Sequence, residues 1–90
     1  MRAIFAAEIP VVSAVTRIGQ GAQNDIVLDD DTVSTSHARL EFVSGGWKLT
    51  DLESTNGTFV NGARIVAARL ASGDRFQVGR VELVAVRDED

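Results

Sequence analysis

The chain has 90 residues, 44% of them hydrophobic and 24% charged, with no Cys and with nine cationic against thirteen acidic side chains, a net charge of −4. That length suits one core and leaves no room for a two-domain enzyme with an interdomain cleft, so residues 1–90 are read as a single domain. The absence of Cys excludes a disulfide frame, a thiol nucleophile and a soft-ligand zinc site, and cations spread along an acidic chain present no basic patch of the kind that grips nucleic acid.

Residues 2–7 and 11–18 read as strands, with Pro10 between them confining that point to an edge or a turn. The run at residues 3–7, the longest apolar stretch, is far short of the roughly 20 residues that span a bilayer, and no signal-peptide or basic amphipathic pattern accompanies it. A soluble, cytoplasmic protein without membrane contact is the expectation. Asp25-Ile26-Val27-Leu28 adds a short strand. Ala38, Leu40 and Phe42 face one way while Arg39 and Glu41 face the other, and Trp47-Lys48-Leu49-Thr50 repeats the alternation. Ser44-Gly45-Gly46 between these runs supports a tight reversal and an antiparallel hairpin.

Thr58-Phe59-Val60 leads into Asn61-Gly62, a strong hairpin signal, because a type I′ turn requires φ > 0 at both central residues. Residues 63–71, rich in Ala, can be read locally as a helix, although so short a segment without an N-cap is marginal alone. Ser72-Gly73-Asp74 opens the alternating run Arg75-Phe76-Gln77-Val78, and Gly79-Arg80 joins it to a last strand at residues 81–86. Asp88-Glu89-Asp90 looks like a solvated end or a linker. Many short strands separated by Gly, Asn and Asp turns predict an all-β sandwich or barrel.

In such folds function is usually carried on the loops at one end. Three loops stand out: residues 18–26; residues 29–37, which end in Val33-Ser34-Thr35-Ser36-His37 and hold the only His of the chain; and residues 51–58, with Ser54-Thr55-Asn56-Gly57. Hydroxyls and amides at this density bind anions or peptide backbone, or serve only as turn residues.

The ordered motifs Ile18-Gly19…Asn24-Asp25-Ile26-Val27-Leu28, then Val33-Ser34…His37-Ala38…Leu40, then Leu49-Thr50-Asp51-Leu52…Ser54-Thr55-Asn56-Gly57-Thr58-Phe59-Val60-Asn61-Gly62, then Leu70…Gly73-Asp74…Phe76…Val78-Gly79 resemble the forkhead-associated (FHA) domain family. The resemblance runs from about Thr16 to Leu83. It implies a β-sandwich of about eleven short, mostly antiparallel strands whose apical loops bind a phosphothreonine-containing protein or peptide. By the same resemblance, Ser34 and Thr55 hydrogen-bond the phosphate and Asn56 holds the peptide main chain. Gly19 and His37 shape the loops, and Gly57, Asn61 and Gly62 form turns. Thr32, the loop at residues 70–74 and the turn at Gly79 choose the side chains that follow the phosphothreonine. The implied context is Ser/Thr kinase signalling by a monomeric adaptor that needs no cofactor.

Two positions depart from the family pattern. Gln20 stands where an Arg normally pairs with the phosphate, and Thr35 where Arg or Lys is common. Asp29-Asp30-Asp31 would repel a phosphate unless turned away. Arg17 could swing toward the pocket in compensation, whereas Arg39 and Arg80 read as surface charges. A module that docks an unphosphorylated protein partner is therefore the alternative. A Ser34–His37 hydrolase lacks any sign of an orienting group or oxyanion site, and the Asp run lacks the spacing of a calcium loop, so neither catalysis nor a metal is expected.

Overall fold

The computed structural model describes residues 2–4, 8–10, 15–43, 46–71 and 73–86. In chain order they form β1 (Arg2–Ile4), β2 (Glu8–Pro10), β3 (Val15–Gly19), β4 (Ile26–Val27), β5 (Ala38–Val43), β6 (Gly46–Asp51), β7 (Thr58–Val60), β8 (Ala63–Ile65), β9 (Ala67–Leu70), β10 (Arg75–Val78) and β11 (Val81–Val86). One sheet has the order β2-β1-β11-β10-β7-β8, the other β4-β3-β5-β6-β9. Every pairing is antiparallel except that of β3 with β4. The eleven-stranded, all-β sandwich expected from the motifs is the fold observed.

Alternation along each strand decides which side chains meet between the sheets. Ile18, Leu40, Trp47, Leu49 and Leu70 from the five-stranded sheet pack with Phe76, Val78, Leu83 and Ala85 from the six-stranded one. Trp47 is 1% exposed, and a fully buried large apolar side chain stabilises the fold by about 1.5–3 kcal/mol. Pro10 sits in β2, at the edge of the six-stranded sheet, the position in a sheet that tolerates a residue without an N–H. Asn61 and Gly62 have φ of 50° and 85°, as a two-residue type I′ hairpin between β7 and β8 demands.

Three sequence expectations change. Residues 63–71 contain no helix. Ala63–Ile65 pairs with β7 and Ala67–Leu70 with β6, because the register carries Ala68 and Leu70 inward and gives their backbone a ladder that an isolated short helix cannot match. Near the N-terminus a second strand, β2, pairs antiparallel with β1, Ala3 opposite Ile9, and carries Pro10 itself, while residues 5–7 and 11–14 of the strands expected there lie outside the described residues. Finally, four of the nine cations, scattered in sequence, gather in space: Arg17 lies opposite Arg39, and Lys48 opposite Arg69, all on the outer face of the five-stranded sheet. Ser44, Gly45 and the acidic end at residues 88–90 lie outside the described residues, but the β5–β6 hairpin predicted around the former is present.

Candidate functional site

The loops after β3, before β5 and after β6 converge at one end of the sandwich, and His37 is the post on which two of them hang. Its ring is fully buried, its Nδ1 accepts the Ser34 N–H at 3.0 Å, and its Nε2 lies 2.9 Å from the Gly57 carbonyl. An acceptor at Nδ1 assigns the proton to Nε2, which donates to Gly57. The backbone of His37 adds two more ties, its N–H donating to the Ile18 carbonyl and its carbonyl accepting from Leu52 N. Neither ring nitrogen is directed at the Ser34 hydroxyl, so the base–nucleophile geometry of a hydrolase is not formed.

Ser34 is half-buried at the rim. Its Oγ accepts the Thr55 N–H at 3.2 Å, joining the second loop to the third and leaving the hydroxyl proton without an acceptor among the described residues. Thr55 and Asn56 are exposed, and the Asn56 amide donates to the Thr32 carbonyl at 2.9 Å. Thr35 turns its side chain to solvent while its carbonyl takes hydrogen bonds from Gly21 N and from Asn24 Nδ2. That carbonyl explains Gly19: a Cβ there would lie 2.3 Å from the Thr35 oxygen. Gln20 is half-buried, its N–H bound to the Ser34 carbonyl and its side-chain amide 3.4 Å from the Asp30 carbonyl, a long contact. Arg17 is exposed on β3, directed to the outer face rather than into the loops.

Two carboxylates organise the site from below. Asp51, at the end of β6, accepts from the Ser54 hydroxyl and N–H and from the Thr58 hydroxyl, so it links the two sheets and shapes the turn in which Gly57, with φ of 93°, donates to Ser54 Oγ. Burial works to raise the Asp51 pKa, but these donors outweigh it and hold the carboxyl below its ordinary value. Asp30 accepts from the Thr32 hydroxyl and N–H and from Arg80 Nε at 3.0 Å, which together push its pKa down to about 2. Asp30 is therefore turned toward the β10–β11 turn, while Asp29 and Asp31 are exposed.

Arg80 is not merely a surface charge, as the sequence suggested. It fastens the β10–β11 turn to the loop carrying Ser34, through its N–H to Thr32 Oγ1 and its guanidinium to Asp30. Gly79, with φ of 60°, allows the approach, since a Cβ would lie 2.5 Å from the Thr32 carbonyl. A folded-state pKa near 2 against an ordinary 3.8 means that ionised Asp30 stabilises the fold above pH 3.8, and that this contribution is lost as the pH falls through about 2. Asp30→Asn should therefore melt below the wild type at about pH 5, and the gap in Tm should close toward pH 2. A gap that stays constant across that range would show that the carboxylate charge plays no part in the latch.

Sequence reasoning placed Ser34, Thr55, Asn56, Gln20, Thr35, Gly19, His37 and Gly57 in these loops, and the fold brings them to one end. Asn61 and Gly62 serve the β7–β8 hairpin instead. Asn24, Asp51 and Ser54 carried no individual role, and the joining of Asp30, Thr32 and Arg80 in one latch was not foreseen. The first three fall inside the quoted motifs and are buried or hydrogen-bonded polar residues, but the Arg80 contact spans 50 positions and has no local signal. A depression of about 230 Å³ lies elsewhere, on the six-stranded sheet between Phe59, Asn61, Arg75 and Glu82.

The FHA domain model matches residues 16–79, more than half of the chain and all three loops. The chain belongs to the FHA domain family. It is 47% identical over 68 residues to the ABC transporter ATP-binding/permease protein Rv1747 of Mycobacterium tuberculosis, a match covering 76% of this chain and 8% of that protein. To the glycogen accumulation regulator GarA of the same species it is 41% identical over 71 residues, covering 79% of this chain and 44% of the regulator. This FHA chain thus spans less than half the length of either relative. Among solved structures, Mycobacterium tuberculosis EmbR in complex with a low-affinity phosphopeptide superposes with a TM-score of 0.86 at 31% identity, covering 99% of this chain and 26% of that one.

Proposed function

We propose that this FHA domain is a phosphothreonine-peptide recognition module, a protein–protein adaptor of Ser/Thr kinase signalling, with its site at Ser34, Thr35, Thr55, Asn56 and Gln20. One observation carries the reading. The Ser34 hydroxyl accepts from Thr55 N, so its own proton is left available to donate, the polarity an anion requires. Gln20 stands where the resemblance places a phosphate-pairing Arg, and the site is accordingly a weakened one. The family membership and the phosphopeptide complex of EmbR support the same class of ligand.

The test is a titration of the domain with a phosphothreonine peptide and with its unphosphorylated twin. Binding that requires the phosphate supports the reading, and equal affinities for the two peptides would contradict it. Restoring the charge by Gln20→Arg should strengthen phosphopeptide binding about five- to thirtyfold, because a charge-assisted hydrogen bond exceeds a neutral one by roughly one to two kcal/mol. No change in affinity would remove position 20 from the site. Phosphate-independent docking of a protein partner is the second reading. It is favoured by the Gln20 amide pointing to the Asp30 carbonyl and by exposed Asp29 and Asp31, and it is the outcome that equal affinities would indicate.

A further inference from the structure

The outer face of the five-stranded sheet has an unusual charge pattern. Cross-strand neighbours on one face of an antiparallel pair stand close enough to interact, and like charges directly opposed destabilise the sheet. Here Arg17 is directly opposite Arg39 across β3 and β5, and Lys48 is directly opposite Arg69 across β6 and β9. All four alternate outward, with Thr16, Ile18, Leu40, Trp47, Leu49 and Leu70 turned to the core. Glu41, opposite Lys48 and 3.1 Å from the Arg39 guanidinium, is the one carboxylate in these rows. At the sheet margin Asp25 accepts the Arg17 N–H.

The face thus sets four cations against one carboxylate, while the rest of the sequence sets five cations against twelve. The core does not explain the pattern, because none of the four heads is buried between the sheets. Two like-charge pairs in an acidic chain place positive charge where it weakens the fold, and an anionic occupant would offset that cost.

The face also adjoins the loops. Arg17 precedes Gly19 by two residues and Arg39 follows His37 by two, so the first cationic row begins about 7 Å from the loop end at 3.2–3.4 Å per strand residue. We propose that this face is a second docking surface, which takes an acidic stretch flanking the phosphorylated residue held at the loops; the proposal rests on the loop-end reading above. Polypeptide rather than nucleic acid fits the charge balance: a surplus of three positive charges suits a short acidic segment, whereas the acidic remainder repels a long polyanion. Such a surface acts on encounter rate and salt dependence as much as on affinity.

The test compares two phosphothreonine peptides, one flanked by Glu and one by Gln, together with their unphosphorylated twins and a DNA duplex. At low salt the Glu-flanked phosphopeptide should bind about fivefold tighter, an advantage erased in 0.5 M salt and in Arg69→Glu, with Arg39→Gln weakening it in the same direction. Arg69→Glu turns a like-charge pair into an opposite one and gives up an exposed hydrogen bond from Arg69 to the Val43 carbonyl, two small and opposing changes, so its Tm should stay within a few degrees of the wild type while its acidic binding falls. Equal affinities for the two phosphopeptides, or a Glu advantage that survives both substitutions, would overturn the proposal. Duplex binding tighter than the acidic peptide would overturn the choice of polypeptide. If the Gln-flanked phosphopeptide fails to bind, the loop-end reading falls and the unphosphorylated Glu peptide decides for the face: Arg69-dependent binding supports it, and no binding overturns it.

Discussion

His37→Ala is expected to lower the unfolding free energy by about 3 kcal/mol or more and to abolish recognition at the loops together with it. The side chain is fully buried, so its removal leaves a cavity of the kind that costs roughly 3–5 kcal/mol when a buried aromatic ring is truncated. It also strands the Ser34 N–H and the Gly57 carbonyl, each left without a partner at a cost of about 1–3 kcal/mol where water cannot replace it. Against a typical total of about 5–15 kcal/mol for a small domain, a loss of this size is a large fraction of the whole. Urea unfolding of the wild type and the variant measures it. A loss below about 1 kcal/mol would mean that the ring is not the support on which the second and third loops depend.

Ser34→Ala separates binding from folding. The hydroxyl is at the rim, and Thr55 N, which it accepts, is exposed enough for water to take its place, so the variant should lose no more than about 1 kcal/mol of stability. Its phosphopeptide affinity should nevertheless fall about tenfold to a hundredfold, the worth of one charge-assisted hydrogen bond of roughly 1.5–3 kcal/mol. Calorimetric titration beside a thermal melt gives both quantities. An unchanged affinity would show that the Ser34 hydroxyl does not meet the phosphate, and a melt lowered as far as that of His37→Ala would show that Ser34 is structural.

The parts of this account that were legible in the sequence are those set by short-range chemistry. Asn61-Gly62 announced its turn because few residue pairs tolerate two successive positive φ angles, and Pro10 announced an edge because it lacks an N–H. Gly19 and His37 were identified as loop-shaping through the family resemblance. The atoms they answer to, the Thr35 carbonyl and the Ser34 and Gly57 backbone, became visible only in the fold. What was hidden depends on register and on distant contacts. Nothing local tells that the Ala-rich stretch from Ala63 supplies edge strands to both sheets, that Arg80 reaches Asp30, or that Arg17 and Arg39 face one another. The net charge of −4 is the clearest case, since a composition that excluded a basic patch conceals a cationic face opposed by a more acidic remainder.

The central claim, that the loop end reads phosphate through Ser34 and its neighbours, is tested most directly by amide chemical-shift mapping of the labelled domain. The probes are a phosphothreonine peptide and its unphosphorylated twin. The account predicts shifts concentrated at residues 34–35 and 54–57 that appear with the phosphorylated peptide and are absent with its twin. Shifts of equal size with both peptides, or phosphate-dependent shifts confined to the depression beside Phe59 on the six-stranded sheet, would contradict it.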